Sequence, residues 1–333
     1  MSELHKFLFE GLPVRGMVVR LTDAWQEILA RRASNTTTGA YPAPVAELLG
    51  EMTAAAALMQ ANIKFKRSVI LQVFGDGPVK VAVAEAKPDL SLRSTATVTG
   101  EVAPDARLPQ MVNLHGRGRC AITLEPAERL PGQQTYQGVV PLADAHGKPL
   151  KQLNEVLQQY MLQSEQLDTT LVLAADDKVA AGLLIQRLPT KGEANLAGAA
   201  GADVQGISLE DRMGHNEDYN RISILASSLT RDELLSLDVD TILRRLFWEE
   251  KLLRFEPQTG MLGPRFRCTC SRERVAGMIR GLGVQEAEEI LAERGDIEVA
   301  CDFCGKQYRF DAVDAAQIFP AAKDQLPGSP TVQ

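Results

Sequence analysis

Four of the five cysteines of this 333-residue chain stand in two short knots, Cys268-Thr269-Cys270 and Cys301-Asp302-Phe303-Cys304, thirty residues apart. Four thiolates in two such pairs make a natural tetrahedral, all-sulfur zinc site, and chelation within each knot brings two ligands together cheaply. Four protein ligands leave no open position for water or substrate, which favours a structural role over hydrolysis. The same closeness lets each knot close as a local disulfide if metal is lost, depending on thiolate character and access. Metal and disulfide are both open readings of the spacing. Neither short loop replaces the long-range crosslink that a metal supplies, so oxidation is expected to loosen the region rather than staple it. Cys120 lies in an apolar strand candidate and reads as an inert buried thiol.

The rest of the chain offers little catalytic chemistry. Gly75-Asp76-Gly77 and Gly116-Arg117-Gly118 carry neither a dinucleotide fingerprint nor a phosphate loop. His5, His115, His146 and His215 are scattered and read as solvent or structural residues. Ser164-Glu165-Gln166 reads as the end of a helix. No triad or pair of acids assembles, so the chain is not expected to be an enzyme.

The elements that must position the cysteines are organised in blocks. An apolar content of 45% and a length of 333 residues allow two or three domains with a sizeable core. Positions 1–190 read as one mixed domain. It has a strand over 14–21, a helix over 23–32 capped by Thr22, and a helix over 45–59 with an alanine run that permits close packing. Strands follow in SVILQVFG, VKVAVAEA, SLRSTATVTG, RCAITLE and TYQGVVPL, then a helix over 150–162 and the strands TTLVLAA and AAGLLIQRL. Without regular strand–helix alternation the class is α+β. Positions 191–262 form a flexible Gly/Ala-rich segment followed by an amphipathic helical linker. Its second helix, over 231–255, carries Leu234, Leu235, Val239, Ile242, Leu243, Leu246, Phe247, Leu252 and Leu253 and must be covered by something. It reads either as a permanent docked helix or as a metastable one whose apolar face is sometimes exposed. Positions 263–320 form a small cysteine-bearing domain with helices over 272–280 and 284–293; being small, it would draw much of its folding energy from metal. The tail, 321–333, is loose.

Charge bounds the partners. The net charge of −7 argues against a global nucleic-acid footprint, and positions 265–311 hold eight basic and nine acidic residues. No run approaches the roughly 18 apolar residues of a membrane span, and the start lacks the pattern of a secretory signal. The expectation is a soluble cytoplasmic protein, in which clustered cysteines suggest metal or redox chemistry.

Phe266 to Val275 (FRCTCSRERV), Ile290 to Cys304 (ILAERGDIEVACDFC), and Gly305 with Tyr308 and Phe310 carry a resemblance. So do GDGP at 75–78, TYQGVVPL at 135–142, YMLQSEQLDT at 160–169, AAGLLIQRLP at 180–189 and RRLFWEE at 244–250. On these residues the chain resembles the thirty-three-kilodalton heat-shock chaperonin family, the redox-regulated holding chaperones of the bacterial and organellar stress response. The resemblance implies one Zn2+ held by Cys268, Cys270, Cys301 and Cys304 in a reduced, inactive state. It implies oxidation to Cys268–Cys270 and Cys301–Cys304 disulfides, zinc release and unfolding of the C-terminal region. The destabilised linker would then expose apolar surface that captures unfolding clients without ATP, typically in a dimer. Linker positions 234, 235, 239, 242, 243, 246, 247 and 248 become candidate client-binding residues. Trp248 stands where the family commonly has His, which adds apolar area and is expected to alter how the linker opens. The alternative is a constitutive zinc-dependent module that binds protein or nucleic acid.

Overall fold

A computed structural model describes residues 1–35, 38–63, 67–126, 135–188 and 217–319. The Gly/Ala-rich segment, His215 and the tail lie outside the described residues. The chain divides into two compact units, Met1–Arg267 and Cys268–Gln333.

The first unit is built around one helix. Strands β1 (Glu3–Phe9) and β2 (Val14–Leu21) lead into α1 (Asp23–Ala33) and α2 (Ala43–Asn62). Val45, Leu48, Leu49, Met52 and Ala54 to Met59 of α2 are all buried. A helix apolar all round must be enclosed on every side, and two sheets enclose this one. The first sheet has the order β10 (Leu252–Arg254), β1, β2, β9 (Ala180–Arg187), β8 (Thr169–Ala175), with β11 (Gln258–Thr259) also on the outer edge of β1. The second runs β12 (Arg265–Phe266), β5 (Ser91–Val98), β4 (Val79–Ala86), β3 (Arg67–Phe74), β6 (Arg119–Pro126), β7 (Tyr136–Pro141). All neighbours are antiparallel except β12, which joins β5 in parallel. The class is therefore α+β. Gly50 lets α2 approach the first sheet, since a Cβ there would stand 2.4 Å from the Ala175 Cβ. Short α3 (Leu108–Val112) and α4 (Leu153–Ser164) close the same core.

The opposite face of the first sheet is covered as well. Helices α5 (Glu217–Ser227), α6 (Arg231–Ser236) and α7 (Val239–Phe247) lay Tyr219, Ile222, Leu234, Ile242, Leu246 and Phe247 over Phe7, Phe9, Val18, Leu183 and Ile185. Burial on both faces explains why β9 reads as an unbroken apolar run.

Two expectations need correction. The continuous helix over 231–255 is broken. Thr230 and Glu233 form a reciprocal capping box, Leu237 is extended, and the Asp238 side chain accepts from the Thr241 N–H at 2.9 Å to start a new helix. Residues 252–254 leave helical geometry altogether and become β10. Thr22 occupies the cap position of α1 without a side-chain bond to the helix backbone; Ser2 Oγ accepts from the Ala24 N–H at 3.2 Å instead.

The second unit contains α8 (Arg272–Leu282), α9 (Val284–Arg294), the hairpin β13 (Ile297–Ala300) and β14 (Gln307–Phe310), and α10 (Ala312–Ile318). Its core is small: among the described residues one cluster of seven buried side chains, Val275, Ile279, Ala287, Ile297, Tyr308, Phe310 and Ile318, with Ala315 and Cys304 also buried.

Candidate metal centre and the face beneath the linker

The sequence places the cysteines in two knots, and the fold of the second unit brings the knots together. The turn at Cys301–Cys304 is closed at the head of the hairpin. The Cys301 N–H donates to the Lys306 carbonyl at 3.0 Å and the Gly305 N–H to the Cys301 carbonyl at 2.8 Å. Gly305 sits at φ +70°, where a side chain would be strained. The other knot directly precedes Ser271, whose side chain accepts from the Arg274 N–H and caps α8.

All four sulfur atoms lie within 4.8 Å of one another. Contacts run between the knots, Cys268 to Cys301 at 3.7 Å and Cys270 to Cys304 at 3.4 Å. A tetrahedral zinc with bonds of about 2.3 Å sets its sulfurs about 3.8 Å apart, so the donor set fits such an ion in both chemistry and spacing. The Tyr308 hydroxyl donates to Cys270 Sγ at 3.1 Å. Burial opposes ionisation of Cys270, but this bond and those of the neighbouring thiols bring its thiol down to about 7. Burial pushes the Cys301 thiol up, with the Cys268 sulfur adding to the effect. Cys304, the most buried of the four, is raised further by burial and by its sulfur neighbours. Without a cation the cluster does not hold four negative charges; a metal supplies the charge that lets all four ionise.

Cys120 is fully buried in β6, and burial alone pushes its thiol up to about 12, the condition of an inert thiol. His5 does meet a carboxylate, Glu3, at 2.9 Å on the same strand. The backbone N–H groups of His115 and His146 donate to Asp76 and Asp144 in turns.

Of the linker candidates, Leu234, Val239, Ile242, Leu243, Leu246 and Phe247 are all buried against the first sheet, and Leu235 is partly buried there. Trp248 departs from this set: it is 75% exposed at the end of α7 and adds nothing to the buried face. Sequence reasoning passed over the other half of this contact. Phe7 and Phe9 on β1 meet Phe247 with ring centroids at 6.2 and 5.0 Å. The alternation in LHKFLF is the signal that would have located them. Arg20 was also missed; its guanidinium donates to the carbonyls of Leu234, Leu235 and Leu237 at 2.7–3.1 Å, where α6 ends. Among the described residues no helix is long and apolar enough to cross a membrane.

The family model described as Hsp33 protein matches residues 2–311. A 33 kDa chaperonin of Chromobacterium violaceum is 43% identical over 319 residues, covering 96% of this chain and 94% of that protein. A 33 kDa chaperonin of Shewanella woodyi is 39% identical over 318 residues, with 96% of each covered. The crystal structure of the 33 kDa chaperonin (heat shock protein 33 homolog) of Thermotoga maritima matches with a TM-score of 0.68 at 19% identity, over 96% of this chain and 98% of that one, a likeness of fold. A match of this extent, with four clustered thiols in the second unit, shows that the chain belongs to the Hsp33 family of chaperonins.

Proposed function

We propose that the protein is a redox-regulated, ATP-independent holding chaperone of the cytoplasm, a binder of unfolding proteins rather than a catalyst. Cys268, Cys270, Cys301 and Cys304 hold one Zn2+ in the reduced, inactive form, and the ion supplies the crosslink that the small core of the second unit lacks. Peroxide is the oxidant class. One thiolate of a pair takes oxygen from hydrogen peroxide to become a sulfenic acid, with hydroxide leaving. Its partner thiol then displaces water to form the disulfide. Two peroxides remove four electrons and leave Cys268–Cys270 and Cys301–Cys304 bonded, with the metal without donors.

The observation that carries the reading is the pairing of this cluster with a covered apolar face. Helices α5–α7 hide an aromatic and aliphatic surface that only their own docking protects. Loss of the second unit and release of α5–α7 would expose it, and the exposed surface would bind unfolding clients and favour a homodimer.

The test compares reduced, zinc-loaded protein with peroxide-treated protein in suppressing light scattering from a thermally unfolding client, with zinc release and disulfide connectivity read in the same samples. Strong suppression only after oxidation, with stoichiometric zinc release, is expected. Equal suppression by both forms sinks the switch. Binding in the reduced form that is lost on zinc removal would favour the constitutive zinc-dependent module.

A further inference from the structure

β1 is the strand on which two coverings meet. Its face is covered by α7, through Phe247 against Phe7 and Phe9. Its outer edge is covered by the segment directly after α7. Leu252, Leu253 and Arg254 pair with Phe9, Leu8 and Phe7, and Gln258 and Thr259 pair with Leu4 and Glu3. The Glu10 N–H donates to the Lys251 carbonyl at 2.9 Å and the Phe255 N–H to the Lys6 carbonyl at 3.0 Å. This strap is a poor strand. Pro257 has no N–H and splits the pairing into two short pieces. Leu253 is 57% and Phe255 50% exposed, so their side chains contribute little holding energy. Its side-chain anchors are few: Leu252 packs against the buried face, and Arg254 pairs with Asp240 of α7, the helix that tethers the strap.

We propose that the edge of β1 is a docking strand for an extended apolar segment of an unfolded client, which replaces residues 252–259 and adds to the first sheet. The inference rests on the chaperone reading above and names how the client is held. The strap already seated there shows the class of ligand: extended backbone paired along the edge, with an apolar side chain, Leu252, beside Phe9 and packed against the buried face. A client strand in its place meets the β1 N–H and C=O groups with main-chain bonds that every sequence offers. Its side chains on one face fall on Phe7 and Phe9 once Phe247 has left. Main-chain pairing supplies promiscuity, and the aromatic face supplies the preference for apolar segments. An unfolded chain without proline can pair along all of β1, which the strap does not.

Hydrogen exchange on the full-length protein reads this directly. By the alternation of an antiparallel ladder, the Leu8 N–H faces the strap as the Glu10 N–H does. Both amides are expected to be protected in the reduced form, to exchange at least tenfold faster after peroxide activation, and to regain protection when reduced, carboxymethylated α-lactalbumin, a permanently unfolded chain, saturates the protein. A synthetic KLLRFEPQT peptide, copying residues 251–259, is expected to displace that client at least threefold better than the same peptide N-methylated at the amides of Leu253 and Phe255. Client saturation without re-protection, or equal competition by both peptides, overturns the proposal, because binding then uses the apolar face alone. Amides that stay protected in protein that suppresses aggregation also overturn it, while leaving the redox switch intact. Re-protection without client that grows with protein concentration assigns the edge to a second copy of the chain and likewise overturns it.

Discussion

Cys304 and Tyr308 have different duties at the same centre. Cys304 is buried and supplies a sulfur; Tyr308 spends its hydroxyl on Cys270 while its ring forms part of the small core. Cys304→Ser should reduce bound zinc from one per chain to a small fraction, measured by metal analysis after dialysis, and should unfold the second unit. Tyr308→Phe should retain zinc at one per chain, since the ring and all four sulfurs remain; equal zinc loss in both variants would refute this division of roles. Glu51 poses a separate question. It lines a cleft of about 450 Å3 with Glu47, Lys151, Asn154 and Arg231. Burial, and then the Glu47 carboxylate one turn away, push its carboxyl up to about 8 against the pull of Arg231. An unfolded glutamate loses its proton near pH 4.3, so folding takes up a proton between that value and about 8. Stability therefore falls as pH rises through that window. Glu51→Gln should be indifferent near pH 4 and more stable than the native protein by on the order of 2 kcal/mol near pH 9, a figure discounted for the open side of the cleft. Thermal melts across this range check it; a constant difference at every pH would count against the assignment.

At the scale of elements, the linker is three short helices and a strap, not one long helix. Thr230-x-x-Glu233 and Asp238-x-x-Thr241 are cap signatures inside an apolar periodicity that runs straight through them. Periodicity reported which residues face inward and concealed where the helix stops, because a cap interrupts the backbone without interrupting the apolar pattern. The apolar residues nonetheless face inward for the most part, with Trp248 and Leu253 exposed. Phe247→Ala removes a buried ring from contact with Phe7 and Phe9 and should destabilise local docking of α7 by about 3 kcal/mol. Faster amide exchange in α7 and aggregation suppression at lower oxidant doses are the readouts. Trp248→His should change stability by less than about 0.5 kcal/mol, because the indole is mostly in solvent. A larger shift would show that the exposed ring has a partner. Gly16 supports the same platform, since a Cβ there would fall 2.1 Å from the Phe7 ring. Gly16→Ala should displace that ring and loosen α7 by about 1 kcal/mol, seen again in amide exchange.

For the molecule as a whole, the two units have different sources of stability. The first has two cores and two six-stranded sheets; the second has, among the described residues, one small apolar cluster and four clustered thiols. A chelator added to reduced protein should therefore abolish the calorimetric transition of the second unit while the main transition of the first persists. A single merged loss of both would mean that the first unit does not stand without the second.

The sequence by itself determined the chemistry and most of the strands. Two cysteine knots specify four soft ligands wherever they fold, and period-two runs bounded by Gly and Pro mark strands through local sterics alone. It also determined which linker residues are apolar. Tertiary structure decided what those residues cover, because burial depends on a partner surface remote in sequence. Phe7 and Phe9 lie more than two hundred positions before Phe247. Only the fold places the strap on the edge of β1 and brings Cys268 to 3.7 Å from Cys301 and Cys270 to 3.4 Å from Cys304. Spacing along the chain limits which sulfurs can meet, but the packing of α8 and the hairpin decides which of them do.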